Sequence, residues 1–418
     1  MPVTDSNDDR DAVFRRIFGR SIGIDRFLLE FWESRALHAR RSSYHLSLNF
    51  QDILEVVRRH DLRVPNARLY LDGTVVDPER FTREMRYGDE VFEGIVDSNK
   101  VESLVSSGCT LVLQSLEQYF PEIAVFCHEM ERLFICPVQA NAFYTPAYTG
   151  GVSPHYDHTD VIVMQCSGKK HWSLWDVVRE LPSGRDSYQQ EYWDGYAVEN
   201  HPASFIALDP GDVLYLPRGL LHTTKAGHVP SLHVSVVLHS PTWASLLHDL
   251  VEEDRAQLHE NCAYRQSMIS SKAGLPGLPF ADNDDAISGA TNIVLEGLTW
   301  ARVREFAYLN VAQSAFPVKA TPLGNVVSSR GLSADRMIRS RCGFRLARSS
   351  DGRSIDLPLP GKTLSFPKPM TAALELLSRP NATVGVRYLP GVLSLEAKIA
   401  LAKTLLIHGL AEILDKDL

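Results

Sequence analysis

The stretch SPHYDHTDVIVMQCSGKKHWSLW, residues 153–175, decides the fold. Two histidines and two aspartates crowd residues 155–160, and an apolar run, VIVMQC, follows at once. In an extended strand, side chains two apart share a face. His155 and Asp157 therefore point one way, and Tyr156 and His158 the other. An imidazole and a carboxylate on one face, joined by a second imidazole from another strand, make a two-histidine-one-carboxylate set. Such a set holds Fe(II) and leaves coordination positions open.

GDVLYLPRGLLHTT, residues 211–224, offers the missing imidazole. A Gly-Asp turn starts an apolar strand, Pro217 to Gly219 turn the chain, and His222 opens the next run. An isolated HxD is common by chance. HxD heading an apolar strand, with this second pattern downstream, is far more specific. His155, Asp157 and His222 are therefore the expected metal ligands. His158 and Asp160 read as contacts to substrate or solvent. His233, mid-strand in SLHVSVV, reads as a packed histidine rather than a ligand.

Working outward, the short runs PVQANAFY, DVIVMQC, HWSLW, SFIALD, DVLYLP and LHVSVVLH over 135–240 predict an all-β barrel or sandwich. Helical patterns flank it. Phe27, Leu28, Phe31 and Trp32 predict a helix over 24–41, and further helices are expected over 52–60, 101–134, 241–261 and 291–316. Near the C-terminus, a short hairpin signal with a DG turn precedes a helix capped by Ser394 and stopped at Gly409. The 418 residues suggest two or three domains. No apolar run is long enough for a membrane span. Residues 1–20 are polar and read as a disordered lead without a signal-peptide core. Six scattered cysteines (109, 127, 136, 166, 262 and 342) suit reduced thiols in the cytoplasm. A net charge of −8 argues against nucleic-acid binding by charge alone.

The HxD…H pattern, with QCSGKKHW after the first strand and GDVLYLPRGLLH carrying the last ligand, resembles the JmjC oxygenases. Within them it resembles the ribosomal oxygenase branch, which includes arginine and histidine hydroxylases of ribosomal proteins. FLLEFWESRALHARR (27–41) resembles that branch's N-terminal motif, and NAFYTP (141–146) its N-x-Y-x-T-P strand. The likeness spans roughly residues 24–418 and is strongest over 135–240. It implies an α+β chain built on a double-stranded β-helix, the cupin or JmjC jelly roll, with N-terminal helices. The catalytic domain would cover 21–240, a helical dimerisation domain 241–316 and a winged-helix-like domain 317–418.

The resemblance further implies Fe(II) held by His155, Asp157 and His222, with 2-oxoglutarate and O2 as co-substrates. Lys170, fifteen residues after His155, would hold the far carboxylate of 2-oxoglutarate, and Asn141 would line the same pocket. Two positions depart from the branch. Phe143 stands where relatives have a tyrosine, with Tyr144 and Tyr148 as nearby substitutes. Val237 stands where they often have a serine, leaving Ser235 as the nearest hydroxyl.

The segment SGRDSYQQEYWDGYAVEN (183–200) lies between the metal-bearing strands and is rich in aromatic and acidic residues. Tyr192, Trp193 and Asp194 are its candidate substrate contacts, suited to a cationic side chain; a plain surface insertion covering the barrel is the competing reading. The expected activity is hydroxylation of an amino-acid side chain, arginine or histidine favoured, in a protein or peptide such as a ribosomal protein or a biosynthetic precursor. Lysine demethylation and a non-catalytic cupin/winged-helix binding protein are the alternatives. Trp243, Leu246, Leu247 and Leu250 form an apolar patch that would be hidden in a homodimer.

Overall fold

Phe14, Ile17 and Phe18 recur at helical spacing, and in the computed structural model they are buried on one helix, α1 (Asn7–Phe18). Phe14 stacks on Phe18 at 4.7 Å between ring centroids and meets Phe27 at 5.0 Å. Each buried ring contributes roughly 1.5–3 kcal/mol, enough to order a segment whose composition is polar. The expected disordered lead over 1–20 is thus corrected from Asn7 onward. The structure describes residues 7–184, 190–249, 331–340, 353–359, 362–379 and 382–414, with scattered positions between 250 and 352.

The helix expected over 24–41 is shorter. It ends as α2 (Ile24–Glu30), because Glu33 adopts a left-handed backbone, φ 55°, and the chain turns into β1 (Leu37–Ala39). Next comes α3 (Phe50–Arg59), started by a reciprocal capping box between Asn49 and Asp52. Strands β2 (Ala67–Leu71) and β3 (Thr74–Val75), the hairpin β4 (Thr82–Tyr87)–β5 (Glu90–Val96), α4 (Ser98–Ser106), β6 (Thr110–Leu113) and α5 (Pro121–Phe134) complete the N-terminal layer. The barrel strands are β7 (Val138–Thr145), β8 (Asp160–Ser167), β9 (Lys170–Val177), β10 (Ser204–Leu208), β11 (Val213–Leu216), β12 (Leu220–Ala226) and β13 (Ser231–Leu238). A helix, α6 (Gln190–Glu199), lies between β9 and β10.

Two sheets form the jelly roll. The larger has the order β1-β11-β8-β13-β7-β6-β2-β3, the smaller β10-β9-β12. Register decides what each face does. On β13 the even residues Leu232, Val234, Val236 and Leu238 pack with Ile162, Met164, Ala140 and Ala142 against the N-terminal helices. The odd residues turn inward. There Val161 and Val163 of β8 meet Trp172 and Leu174 of β9, Leu208, Leu214, Leu216 and Leu220. Both faces of β8 are therefore buried, which is why its sequence is almost continuously apolar.

Past residue 330 the described segments enclose a separate apolar core, including Ile338, Leu357, Leu374, Leu401 and Leu405. Strands on either side of the expected DG turn do pair (Ala347–Arg348 with Ser354–Leu359), and a further strand, Lys362–Pro367, adds to them; helices Thr371–Leu377 and Leu395–Ile407 follow. The Ser394 side chain accepts from Ala397 N at 3.1 Å, as a cap should. Most of the expected dimerisation region lies outside the described residues. In the helix over 243–249, Leu246 is buried while Trp243 and Leu247 are exposed; Leu250 falls outside. Among the described residues, no helix is long and apolar enough to cross a membrane.

Candidate metal centre

His155 and Asp157 precede the regular ladder of β8, which begins at Asp160, so the HxD segment is not part of that strand. A two-residue bridge orders it instead. His155 N donates to His222 O at 3.0 Å, and His222 N returns a bond to His155 O at 2.8 Å. This bridge sets the two imidazoles side by side, with ring centroids 4.4 Å apart. Asp157 is held from the other end, its carbonyl accepting from Gly219 N at 3.0 Å. Gly219 has φ +84°, and an added Cβ would lie 1.8 Å from Arg179 O, so the close turn needs glycine.

The three expected ligands come together. Among the described residues, His155, Asp157 and His222 each offer a ligand atom, all within 4.8 Å of one another. His155 Nε2 lies 4.0 Å from Asp157 Oδ1, and His222 Nε2 lies 3.8 Å from Asp157 Oδ2. Each imidazole is oriented through its far nitrogen: His155 Nδ1 is 2.7 Å from Ser153 O, and His222 Nδ1 is 3.0 Å from Leu220 O. Donation from Nδ1 to a carbonyl leaves the Nε2 lone pair for a cation. Burial first, and then neighbouring His155, hold the His222 imidazole down to about 4, so it is neutral and ligand-ready near pH 7. The charge and donor atoms fit a divalent transition metal that keeps open positions.

Lys170 lies on the next strand. Gly168, at φ +64°, makes the turn from β8; a Cβ there would sit 1.9 Å from Pro230 O. Lys170 then starts the central strand of the smaller sheet, between Leu208 and Ala226, and is only 1% exposed. Its Nζ donates to Thr145 Oγ1 at 2.6 Å, and no carboxylate among the described residues pairs with it. Burial pulls the amine down to about 7. A desolvated ammonium with one hydroxyl for company is a site for an anion.

Asn141 and Ser235 face each other across β7 and β13, on the same face as Thr145. The Asn141 Oδ1 accepts from Ser115 N at 3.1 Å. Of the substitutes for a tyrosine at 143, neither reaches this face. Tyr144 stacks on Phe50 at 3.9 Å, and Tyr148 is 69% exposed. The segment expected as an insertion contains α6, where Trp193 and Asp194 are half-buried. The Trp193 ring meets Tyr156 edge-on at 5.4 Å, placing the helix beside the HxD segment. The side chain of Tyr192 lies outside the described residues.

Two inward residues, Thr145 and Trp172, escaped the sequence reading, and a third, His233, expected as a packed histidine, is buried on the same inner face. Thr145 is the hydroxyl partner of Lys170. Trp172 lies 5.7 Å from His222 by ring centroid, and His233 lies 5.5 Å from Trp172. The alternation Lys170, Trp172, Leu174 was a signal for the second; the other two depend on cross-strand register. Behind the site, Arg218 is bonded to Glu33 and lies 4.0 Å from Asp160, which also accepts from Tyr215. This network joins the end of α2 to the turn carrying Gly219.

Comparison with known proteins places the barrel. The chain is 24% identical over 376 residues to the bifunctional lysine-specific demethylase and histidyl-hydroxylase NO66 of Dictyostelium discoideum, covering 85% of this chain and 70% of that one. It is 27% identical over 259 residues to the Culex quinquefasciatus protein of the same name, covering 59% and 37%. The chain thus spans little more than a third of that second relative. Solved structures of the ribosomal oxygenase YcfD from Escherichia coli superpose with a TM-score of 0.61 at 16–17% identity, over 94% of this chain and 99% of theirs; one is a complex with cobalt and 2-oxoglutarate. That likeness is one of fold. Residues 114–246, the segment that supplies all three converging ligands, match the JmjC domain model.

Proposed function

We propose that the protein is an Fe(II)- and 2-oxoglutarate-dependent oxygenase that hydroxylates an amino-acid side chain, arginine or histidine, in a protein or peptide. The observation carrying this reading is the convergence of His155, Asp157 and His222 in a barrel that also buries Lys170 with no carboxylate partner among the described residues. Ferrous iron with 2-oxoglutarate and O2 supplies the oxidation, giving succinate and CO2.

The chain's own part is geometric. His155, Asp157 and His222 hold the metal through three sites and leave the rest open. Lys170 anchors the far carboxylate of the keto-acid, Asn141 and Ser235 line the same inner face, and Val161, Val163 and Leu216 keep water out. Trp193 and Asp194, with Tyr192, form one wall for a cationic substrate side chain. Similarity to histidyl-hydroxylases and to the fold of a ribosomal oxygenase supports a ribosomal protein as substrate; a precursor peptide is chemically equivalent. The reading extends to a cytoplasmic homodimer joined through residues 241–316.

Lysine demethylation is the second reading, favoured by the dual naming of the relatives. Incubation with Fe(II), 2-oxoglutarate, O2 and ribosomal proteins separates them: a gain of about 16 Da marks hydroxylation, a loss of about 14 Da demethylation. Absence of any 2-oxoglutarate turnover would favour a non-catalytic binding protein.

A further inference from the structure

The barrel interior holds a third imidazole, His233. Register puts it opposite Phe143 of β7 and Gln165 of β8, on the inward face with Ser231 and Ser235. It is 3% exposed, lies flat against the Phe143 ring (4.9 Å, 4°) and meets the Trp172 ring at 5.5 Å. It does not join the three converging ligands.

Its chemistry is unfinished. His233 Nδ1 and Trp172 Nε1 are both buried without a hydrogen-bond partner among the described residues. Lys170, two residues before Trp172 on β9, has one hydroxyl acceptor among the described residues. Burial first, then Lys170 and His222, keep the His233 ring neutral, so it carries one N–H and one lone pair. The layer thus holds donors on three side chains, against which the buried Gln165 Oε1, opposite His233, is one unpaired neutral acceptor among the described residues. Leaving a buried donor unpaired costs about 1–3 kcal/mol, and phenylalanine would fill the position without that cost. An anion relieves the deficit.

We propose that His233 is a co-substrate recognition residue whose imidazole N–H, beside the Lys170 ammonium, binds the keto-acid carboxylate farther from the metal, so that the pocket selects a dicarboxylic 2-oxo acid. This rests on the oxygenase reading above. Phe143 then acts as the flat plate that orients the imidazole.

The test is calorimetric titration of the Mn(II)-loaded full chain with 2-oxoglutarate and with oxalate, which chelates a metal but has no far carboxylate. His233→Phe keeps ring and volume; His233→Gln keeps a donor. His233→Phe should weaken 2-oxoglutarate about tenfold or more, equivalent to about 1.4 kcal/mol. His233→Gln should stay within about threefold, and oxalate and Mn(II) affinities within about twofold in both. Unchanged 2-oxoglutarate affinity in His233→Phe, or an equal loss for oxalate, makes His233 a packing residue and overturns the proposal. Lys170→Met is the control for the underlying reading: if it leaves 2-oxoglutarate affinity unchanged, the oxygenase pocket itself is misassigned.

Discussion

Lys170→Met should make the ligand-free protein more stable while abolishing co-substrate binding. Lys170 is 1% exposed, and burial lowers its amine from 10.5 to about 7. At about 1.4 kcal/mol per tenfold change in proton affinity, that corresponds to a penalty of roughly 4–5 kcal/mol near pH 7. Methionine has nearly the same length and no charge. It forfeits the bond to Thr145 Oγ1, worth about 1 kcal/mol. The net expected gain is about 3–4 kcal/mol, or roughly 6–16 °C in Tm for a domain of this size. The sign fixes its pH dependence. Between pH 7 and 10.5 the unfolded chain binds the proton that folded Lys170 has lost, so wild-type stability climbs through that window. The advantage of methionine should therefore be largest at or below pH 7 and fall away towards pH 10.5. Thermal unfolding of metal-free, ligand-free protein at both ends of the range measures it. Equal or lower stability of the variant at pH 7, with no narrowing at high pH, would refute the claim that a desolvated ammonium is held here for binding.

The other expected outcomes concern the metal and its supports. Asp157→Ala and His222→Ala should each reduce bound Co(II), measured by elemental analysis, and 2-oxoglutarate turnover by more than about a hundredfold. Arg218→Ala strips the buried Asp160 and the half-buried Glu33 of their shared cation, so it should cost about 3 kcal/mol in thermal unfolding and lower metal affinity about tenfold to a hundredfold. Gly168→Ala drives a Cβ onto Pro230 O at a left-handed turn; it should cost more than about 1 kcal/mol and weaken 2-oxoglutarate binding by displacing Lys170.

The ligand set was legible in the chain because its pieces are local. HxD ahead of an apolar run, and Gly-Asp-strand-Pro-Arg-Gly-x-x-His downstream, declare short segments whose side-chain direction follows from strand geometry. The N-terminal helix was missed although Phe14, Ile17 and Phe18 were in plain view, because acidic neighbours outweighed a short apolar stripe. Its order comes from Phe27, which lies in another helix. The depth of Lys170 likewise has no local signature: a lysine after a glycine turn is ordinarily solvated, and only the strands on either side of β9 bury it.

Residue types and short spacings alone determined the barrel strands and the three convergent ligands, while Lys170 was singled out only through the family resemblance. Tertiary structure decided the rest: the backbone bridge that sets His155 beside His222, the hydroxyl of Thr145 against Lys170, and the inward turn of His233 and Trp172. Those features depend on cross-strand register between segments far apart in the chain, as where Phe143 of β7 pairs with His233 of β13, and a one-residue slip would reverse every face.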